Sequence, residues 1–302
     1  MRDRRAGKVC DRLWYLGREE SGIYLLEGER GSLIVSGGIS YIAPTVLDQL
    51  NAFGIDEKRI IGILILHAHF DHIGLVPLLQ RRNPGSEVFA SARGWEILRM
   101  PKGIETINAF SRLVAERMGV ADGLAELDLE WREGVTGKAV SEGDEIDLGG
   151  MGVRILETPG HSSCSISAYV PELRVLFPSD GGGIPYAETI VPSGNSNYTR
   201  YQESLEKMNR LDVGILCADH YGYVTGREAE GYLLRSIEAA GEKRARIEGI
   251  YRRTGSVEET VKLLVAEVYS RQPNYFLPPE IYAGVYRQTV RHIAGALEKA
   301  AG

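Results

Sequence analysis

The sequence lacks the features that several large classes of protein require. Its three cysteines form no CxxC pair, and an odd, widely spaced set fits reduced thiols better than a disulfide framework. No apolar run approaches the about 18 residues of a membrane span, and the basic start contains no stretch long enough for a signal peptide. A formal net charge of -6 provides no basic footprint for nucleic acid. We therefore expect a cytoplasmic protein that binds neither nucleic acid nor membrane.

The order of patterns along the chain predicts a strand-rich core followed by a helical region. Short apolar segments broken by glycine, such as 22–28 and 60–66, indicate strands through the first two-thirds of the chain. Helical spacing is found at 44–53, 71–82 and 95–119, and again in three long segments after Thr225. We therefore predict a core at 1–225 and a helical region at 226–302.

The last helical segment carries an apolar stripe whose members recur at three- and four-residue steps. They are Tyr282, Tyr286, Val290, Ile293 and Leu297. Such a stripe must face an apolar surface. Docking on the core of the same chain is its default explanation, and a homodimer is the alternative.

Several apolar strands end in a side chain that can bind metal. In the segment ILILHAHFDHIGL, four such residues follow directly after a predicted buried strand. Each of three later strands is followed by one further metal-binding residue. Loops at strand ends are where a rigid scaffold brings distant side chains together. Five of the six histidines occupy these positions, while His292 on the last helix has the pattern of an ordinary histidine. The predicted ligands are His67, His69, Asp71, His72, His161, Asp180 and His220.

Seven ligands exceed the about four that one tetrahedral zinc accepts, so they predict two metal centres. His67, His69 and His161 would hold one ion, and Asp71, His72 and His220 the other, with Asp180 between them. Imidazole and carboxylate ligands suit Zn²⁺ best here, and also iron or manganese. A pair of ions can share a hydroxide that attacks a polarised carbonyl, with Asp71 as the catalytic carboxylate. We find no GxSxG motif for a competing serine nucleophile.

This set of motifs resembles the metallo-β-lactamase superfamily of hydrolases. The resemblance rests on His67-Ala68-His69-Phe70-Asp71-His72, on Thr158-Pro159-Gly160-His161, and on Asp180 and His220. It implies an α/β fold in which two sheets lie between helices, the four-layer αββα sandwich. One departure is the turn Ser36-Gly37-Gly38-Ile39, where most relatives have an acidic residue.

The acid-free turn and the helical tail, including Phe276-Leu277-Pro278-Pro279-Glu280, resemble the PqsE-type thioesterases. Glyoxalase II is similar in having a helical C-terminal region, and both likenesses imply a helical C-terminal extension that covers the active site. These resemblances imply hydrolysis of an activated acyl bond, most simply a thioester such as an acyl-CoA. A thiolate leaving group, with a pKa of about 8.5, needs little protonation, which agrees with the absence of an obvious general acid.

Two alternatives stay open. A lactonase or hydroxyacylglutathione hydrolase would use the same ligands on another acyl compound. A regulatory or interaction protein would keep the metal site in a secondary role. For a small-molecule acyl substrate, the candidate binding residues lie on the loop after Asp180: Tyr186, Asn195, Asn197 and Tyr198.

Overall fold

The structure, a computed structural model, describes residues 1–271 and 279–301. Within these residues the chain forms sixteen strands: β1 (Arg2–Asp3), β2 (Gly7–Cys10), β3 (Leu13–Arg18), β4 (Ser21–Glu27), β5 (Ser32–Val35), β6 (Ile60–Leu64), β7 (Glu87–Ser91), β8 (Lys138–Val140), β9 (Glu145–Asp147), β10 (Gly152–Glu157), β11 (Ile166–Val170), β12 (Val175–Phe177), β13 (Ile184–Tyr186), β14 (Thr189–Val191), β15 (Ile215–Cys217) and β16 (Tyr223–Thr225).

The same residues form ten α-helices: α1 (Ala43–Ala52), α2 (Val76–Arg82), α3 (Ala92–Arg99), α4 (Pro101–Arg117), α5 (Ala121–Leu124), α6 (Tyr198–Met208), α7 (Arg227–Glu230), α8 (Tyr232–Thr254), α9 (Val257–Arg271) and α10 (Pro279–Ala301). None of the described helices combines the length and the apolarity that crossing a bilayer requires.

Two seven-stranded sheets form the centre of the fold. The first has the order β2-β3-β4-β5-β6-β7-β8, and the second β1-β16-β15-β12-β11-β10-β9. Strands β5 to β8 run parallel to one another, as do β12 and β15. The hairpin of β13 and β14 stands apart from both sheets.

The central strands β4 and β5 of the first sheet are buried on both faces because each face of the sheet is covered there. In β4, Tyr24 and Leu26 enter the core between the two sheets, whereas Ile23 and Leu25 pack against the helices outside. This alternation follows from the two-residue period of a strand. Helices α1 to α4 cover the outer face of this first sheet. Helices α6 and α8 to α10 cover the outer face of the second sheet. The predicted αββα sandwich with a helical C-terminal region is confirmed.

The helices after Thr225 share one apolar core with the second sheet. Val290 and Ile293 of α10 lie in it together with Leu176 and Leu216 of β12 and β15. The stripe on α10 is therefore docked within its own chain. A division at residue 225 and a homodimer both stay predictions. Of the tail segment 276–280, residues 276–278 lie outside the described residues.

Two expectations for helices are corrected by the structure. The helix expected over 95–119 is two helices, because Met100 is extended (φ -74°, ψ 126°) before Pro101, as the residue before a proline usually is. Asp71 and His72 do not begin α2 but lie in a separate 3₁₀ turn, Phe70–His72. The chain cannot continue helically there, because Gly74 N donates to Gly38 O at 2.7 Å.

Candidate metal centre

Three histidine nitrogens meet where strand β6 and strand β10 end. His67 Nε2 lies 3.0 Å from His69 Nδ1 and 3.2 Å from His161 Nε2, and His161 Nε2 lies 3.0 Å from His69 Nδ1. Around one tetrahedral zinc, with Zn–N bonds of about 2.0 Å, such nitrogens stand about 3.3 Å apart. We call these three residues the first ligand group.

The second ligand group is Asp71, His72 and His220, whose donor atoms lie within 4.8 Å of one another. Asp71 Oδ2 is 3.7 Å from the Nε2 atoms of both histidines. Asp180 stands between the two groups: its Oδ2 is 3.5 Å from His161 Nε2 and 3.7 Å from His72 Nε2. Its other oxygen is 3.6 Å from His220 Nε2. The structure thus brings together all seven predicted ligands.

Four of the histidines are held from behind by hydrogen bonds at Nδ1. His161 Nδ1 donates to Ser193 O at 2.7 Å, and His220 Nδ1 donates to Glu20 O at 2.7 Å. His67 Nδ1 lies 3.1 Å from Ser179 Oγ, and His72 Nδ1 lies 2.8 Å from Asp219 Oδ2. A proton at Nδ1 leaves Nε2 with its lone pair, the state that a metal ligand requires.

The electrostatics of the site favour positive charge beside the second ligand group. Burial, together with the neighbouring imidazoles, lowers the pKa of His67 well below its usual range. Burial likewise lowers the pKa of His69, to about 3. Burial would also lower the pKa of His72, but the carboxylates around it outweigh burial and raise that pKa to about 10. The acids therefore form a place for a cation next to His72.

The donor set fits a pair of divalent cations. His72 Nε2 is buried and has no hydrogen-bond partner, although such an orphaned nitrogen is costly. Burial would raise the pKa of Asp180, yet the surrounding histidines hold it below its usual range. A cation between imidazole nitrogens and this carboxylate would satisfy both. The ligand types do not distinguish Zn²⁺ from iron or manganese.

The ligands open into a cavity of about 1030 Å³. One wall comes from α3 and α4, and the opposite wall comes from α9 and α10. The apolar members of these walls are Ile97, Ile107, Phe110, Leu264, Val268, Ile281 and Val285. His69, Asp71 and His220 line the cavity, whereas His67 and His72 lie behind them.

The four predicted substrate residues occupy different environments. Tyr186 and Asn195 line the cavity, and their role stays a prediction. Asn197 is the N-cap of α6, where its side chain accepts from Arg200 N at 3.0 Å. Tyr198 is fully buried in the apolar core that the second sheet shares with the helices after Thr225, and it donates to Ala240 O at 3.0 Å. The structure thus places Asn197 and Tyr198 outside the cavity lining.

Sequence reasoning missed three residues of the site. Ser179 and Asp219 each precede a predicted ligand and lie behind the histidines. Tyr221 follows a ligand, lines the cavity and contacts Tyr186 with ring centroids 5.1 Å apart. Burial raises the pKa of Tyr221 to about 12, so its hydroxyl stays protonated near neutral pH. Their position next to a ligand in the sequence was the available signal.

A sequence model of the metallo-beta-lactamase superfamily matches residues 16–220, the part of the chain that supplies every ligand described above. The chain belongs to the metallo-β-lactamase superfamily. Members of this superfamily are generally metal-dependent hydrolases.

Two relatives within the superfamily match most of the chain. The metallo-beta-lactamase fold-containing protein ST1585 of Sulfurisphaera tokodaii is 27% identical over 222 residues, which are 72% of this chain and 79% of that protein. A hydroxyacylglutathione hydrolase of Rhodopseudomonas palustris is 25% identical over 246 residues, 79% of this chain and 77% of that enzyme.

Solved structures of the superfamily share the fold beyond the matched core. The metallo-beta-lactamase family protein TTHA1429 of Thermus thermophilus superposes with a TM-score of 0.68 at 19% identity, covering 97% of this chain and 96% of that one. A beta-lactamase domain protein from Burkholderia ambifaria gives 0.69 at 18% identity, covering 98% and 88%. At these identities the likeness concerns the fold alone.

Proposed function

We propose that this chain hydrolyses thioesters that carry an apolar acyl group, using two divalent metal ions. The observation that carries the proposal is the juxtaposition of two ligand groups with the apolar walls of one cavity. An acyl chain can lie between α3–α4 and α9–α10 while its carbonyl carbon reaches the ligands. The proposed activity is more specifically that of an acyl-CoA thioesterase of the PqsE type.

The first ligand group would hold one ion and the second the other, with Asp180 contacting both. Bound there, the ions would supply a nucleophile from water at neutral pH and a Lewis acid for the acyl carbonyl. Asp71 lines the cavity, so its carboxylate can orient the attacking water and accept a proton from it at Oδ1. Tyr221, which stays protonated, can donate a hydrogen bond to the substrate.

The thioester is favoured over other acyl bonds by the leaving group and by one relative. A thiolate with a pKa of about 8.5 departs without a strong general acid. The Rhodopseudomonas palustris relative is named for a substrate, hydroxyacylglutathione, that is itself a thioester. Two basic residues of α8 also reach the cavity: Lys243 donates to Pro192 O at 2.7 Å, and Arg246 pairs with Glu267. They are candidates for contact with the polar part of the thiol.

The test measures thiol release by the purified chain from acyl-CoA thioesters of short, medium and long acyl chains and from acylglutathiones. We expect turnover that a chelator abolishes and Zn²⁺ restores, with preference for the longer apolar chains. His69→Ala should reduce turnover to background. The matched control is His292→Ala, because this histidine lies on α10 and contacts Thr199 rather than the ligands.

Three results would redirect the proposal. Metal-dependent opening of a lactone, without thioester cleavage, would identify a lactonase. Cleavage of acylglutathione alone would identify a hydroxyacylglutathione hydrolase. An inert protein that holds two ions and co-purifies with a regulatory protein would favour the interaction role.

A further inference from the structure

Asp219 lies behind the two ligand groups and is a member of neither. It follows strand β15, immediately before His220, and is 2% exposed. Its Oδ2 accepts a hydrogen bond from His72 Nδ1 at 2.8 Å and another from Ser179 Oγ at 2.5 Å. One hydrogen bond of this carboxylate therefore holds a proposed ligand, His72, and the other holds Ser179, the residue before the ligand Asp180.

Ser179 extends this contact to the first ligand group. Its Oγ lies 3.1 Å from His67 Nδ1, so that His67 donates to the serine and the serine donates to Asp219. The backbone of Ser179 has φ +48°, an unfavourable conformation that non-glycine residues keep only where the surroundings impose it. A continuous path of hydrogen bonds thus joins His67, Ser179, Asp219 and His72.

The other anchored histidines do not depend on this path. His161 and His220 donate to backbone carbonyls, those of Ser193 and Glu20. The turn directly after β5 offers Ser36, a buried hydroxyl without a hydrogen-bond partner in the described structure. Asp219 is thus the carboxylate that holds one histidine directly and another through Ser179.

We propose that Asp219 is a positioning residue that orients His72 and, through Ser179, His67, and so links the binding of metal at the two ligand groups. This inference rests on the proposed metal ligands and is independent of the substrate. A carboxylate that accepts the outer N–H of a ligating histidine fixes its tautomer and raises its basicity, and its loss typically weakens metal binding 10- to 100-fold.

The experiment titrates Zn²⁺ alone into the metal-free full-length chain by calorimetry, with metal content measured by elemental analysis. We expect wild type to bind two ions. Asp219→Asn should lower the affinity for both by roughly 10- to 100-fold. The control Asp212→Asn alters an exposed acid whose partner is Arg174, at 2.6 Å, and should change neither affinity by more than about twofold.

Ser179→Ala separates the two branches of the path. It removes the contact to His67 and keeps Asp219 on His72, so one ion should bind more weakly while the other binds as in wild type. This variant also decides the matter if Asp219→Asn does not fold. Unchanged affinity for both ions in a folded Asp219→Asn, or in Ser179→Ala, would overturn the inference. Two tightly bound ions without thioester cleavage would overturn only the proposed function.

Discussion

Gly160 occupies a position where the addition of a single methyl group should displace the neighbouring His161. Its φ is +133°, and a Cβ built there would lie 2.2 Å from the backbone nitrogen of Tyr201 in α6. Its carbonyl accepts from Ser196 N and Asn197 N, both at 3.0 Å. The glycine is therefore needed both for its conformation and for the close approach of α6.

The cost of Gly160→Ala follows from these two terms. An unfavourable backbone conformation costs of order 1–3 kcal/mol, and an overpacked contact adds about 1–3 kcal/mol. The free energy of unfolding should fall by about 2–6 kcal/mol, a large part of the about 5–15 kcal/mol of a typical domain. Because His161 follows directly, affinity for Zn²⁺ should fall as well.

Denaturation by guanidinium chloride with Gly255→Ala as control measures the contact term. Gly255 ends α8 at φ +63°, and a Cβ there meets nothing within 4 Å. Its substitution should cost only the about 1–2 kcal/mol of a left-handed alanine. If both variants lose the same stability and Gly160→Ala keeps wild-type affinity for Zn²⁺, the reasoning about the turn at His161 is refuted.

Three further predictions concern a buried hydroxyl, the packing of the helices and the binding of metal. Tyr24→Phe should lower the free energy of unfolding by about 1–3 kcal/mol, because the hydroxyl donates to Ala218 O and Gly222 O beside the His220 loop; a chemical denaturation curve that coincides with wild type would contradict it. Leu205→Ala, at a fully buried position, should cost about 2–5 kcal/mol, whereas Leu234→Ala, at a side chain that is 52% exposed, should stay within about 0.5 kcal/mol. Free Zn²⁺ at 100 times its dissociation constant should stabilise the folded chain by about 2.7 kcal/mol, so removal of the metal by a chelator should lower the thermal midpoint. Equal midpoints with and without Zn²⁺ would show that the folded ligand groups bind no ion.

The fold was predictable where burial imposes a repeating pattern. The strand β6 is an apolar run because both faces of its sheet are covered, and α10 carries its stripe because one face packs into the apolar core of the second sheet. No strand was predicted at β1, β2, β8, β13, β14 or β16, since segments of two to four residues are too short to show a period. Strand β1 pairs with β16 and β8 pairs with β7, each distant in sequence, whereas β16 also pairs with the preceding β15.

Residues of the loop after Asp180 show a different limit. Tyr186 and Tyr198 both follow the aspartate as polar aromatics, and nothing local distinguishes them. Asn197 caps α6, which begins at Tyr198 and turns that tyrosine into the core. Tyr186 lies instead in the β13–β14 hairpin, which borders the cavity. Which tyrosine meets the cavity is decided by the packing of whole elements and not by the loop sequence.

The ligands could be predicted from their residue type and position, whereas the residues that support them could not. Metal-binding side chains at strand ends stand out by type, and His67 and His69 share a side because alternate residues of extended chain do. Alternation does not place the residues directly before two of the ligands, because Ser179 lies in a 3₁₀ turn with φ +48° and Asp219 lies beyond the end of β15. Ser179 precedes Asp180 and Asp219 precedes His220, and their side chains meet behind the histidines at 2.5 Å. Asp71 also precedes a ligand, yet it lines the cavity, so the type of the preceding residue does not by itself distinguish a ligand from a supporting residue.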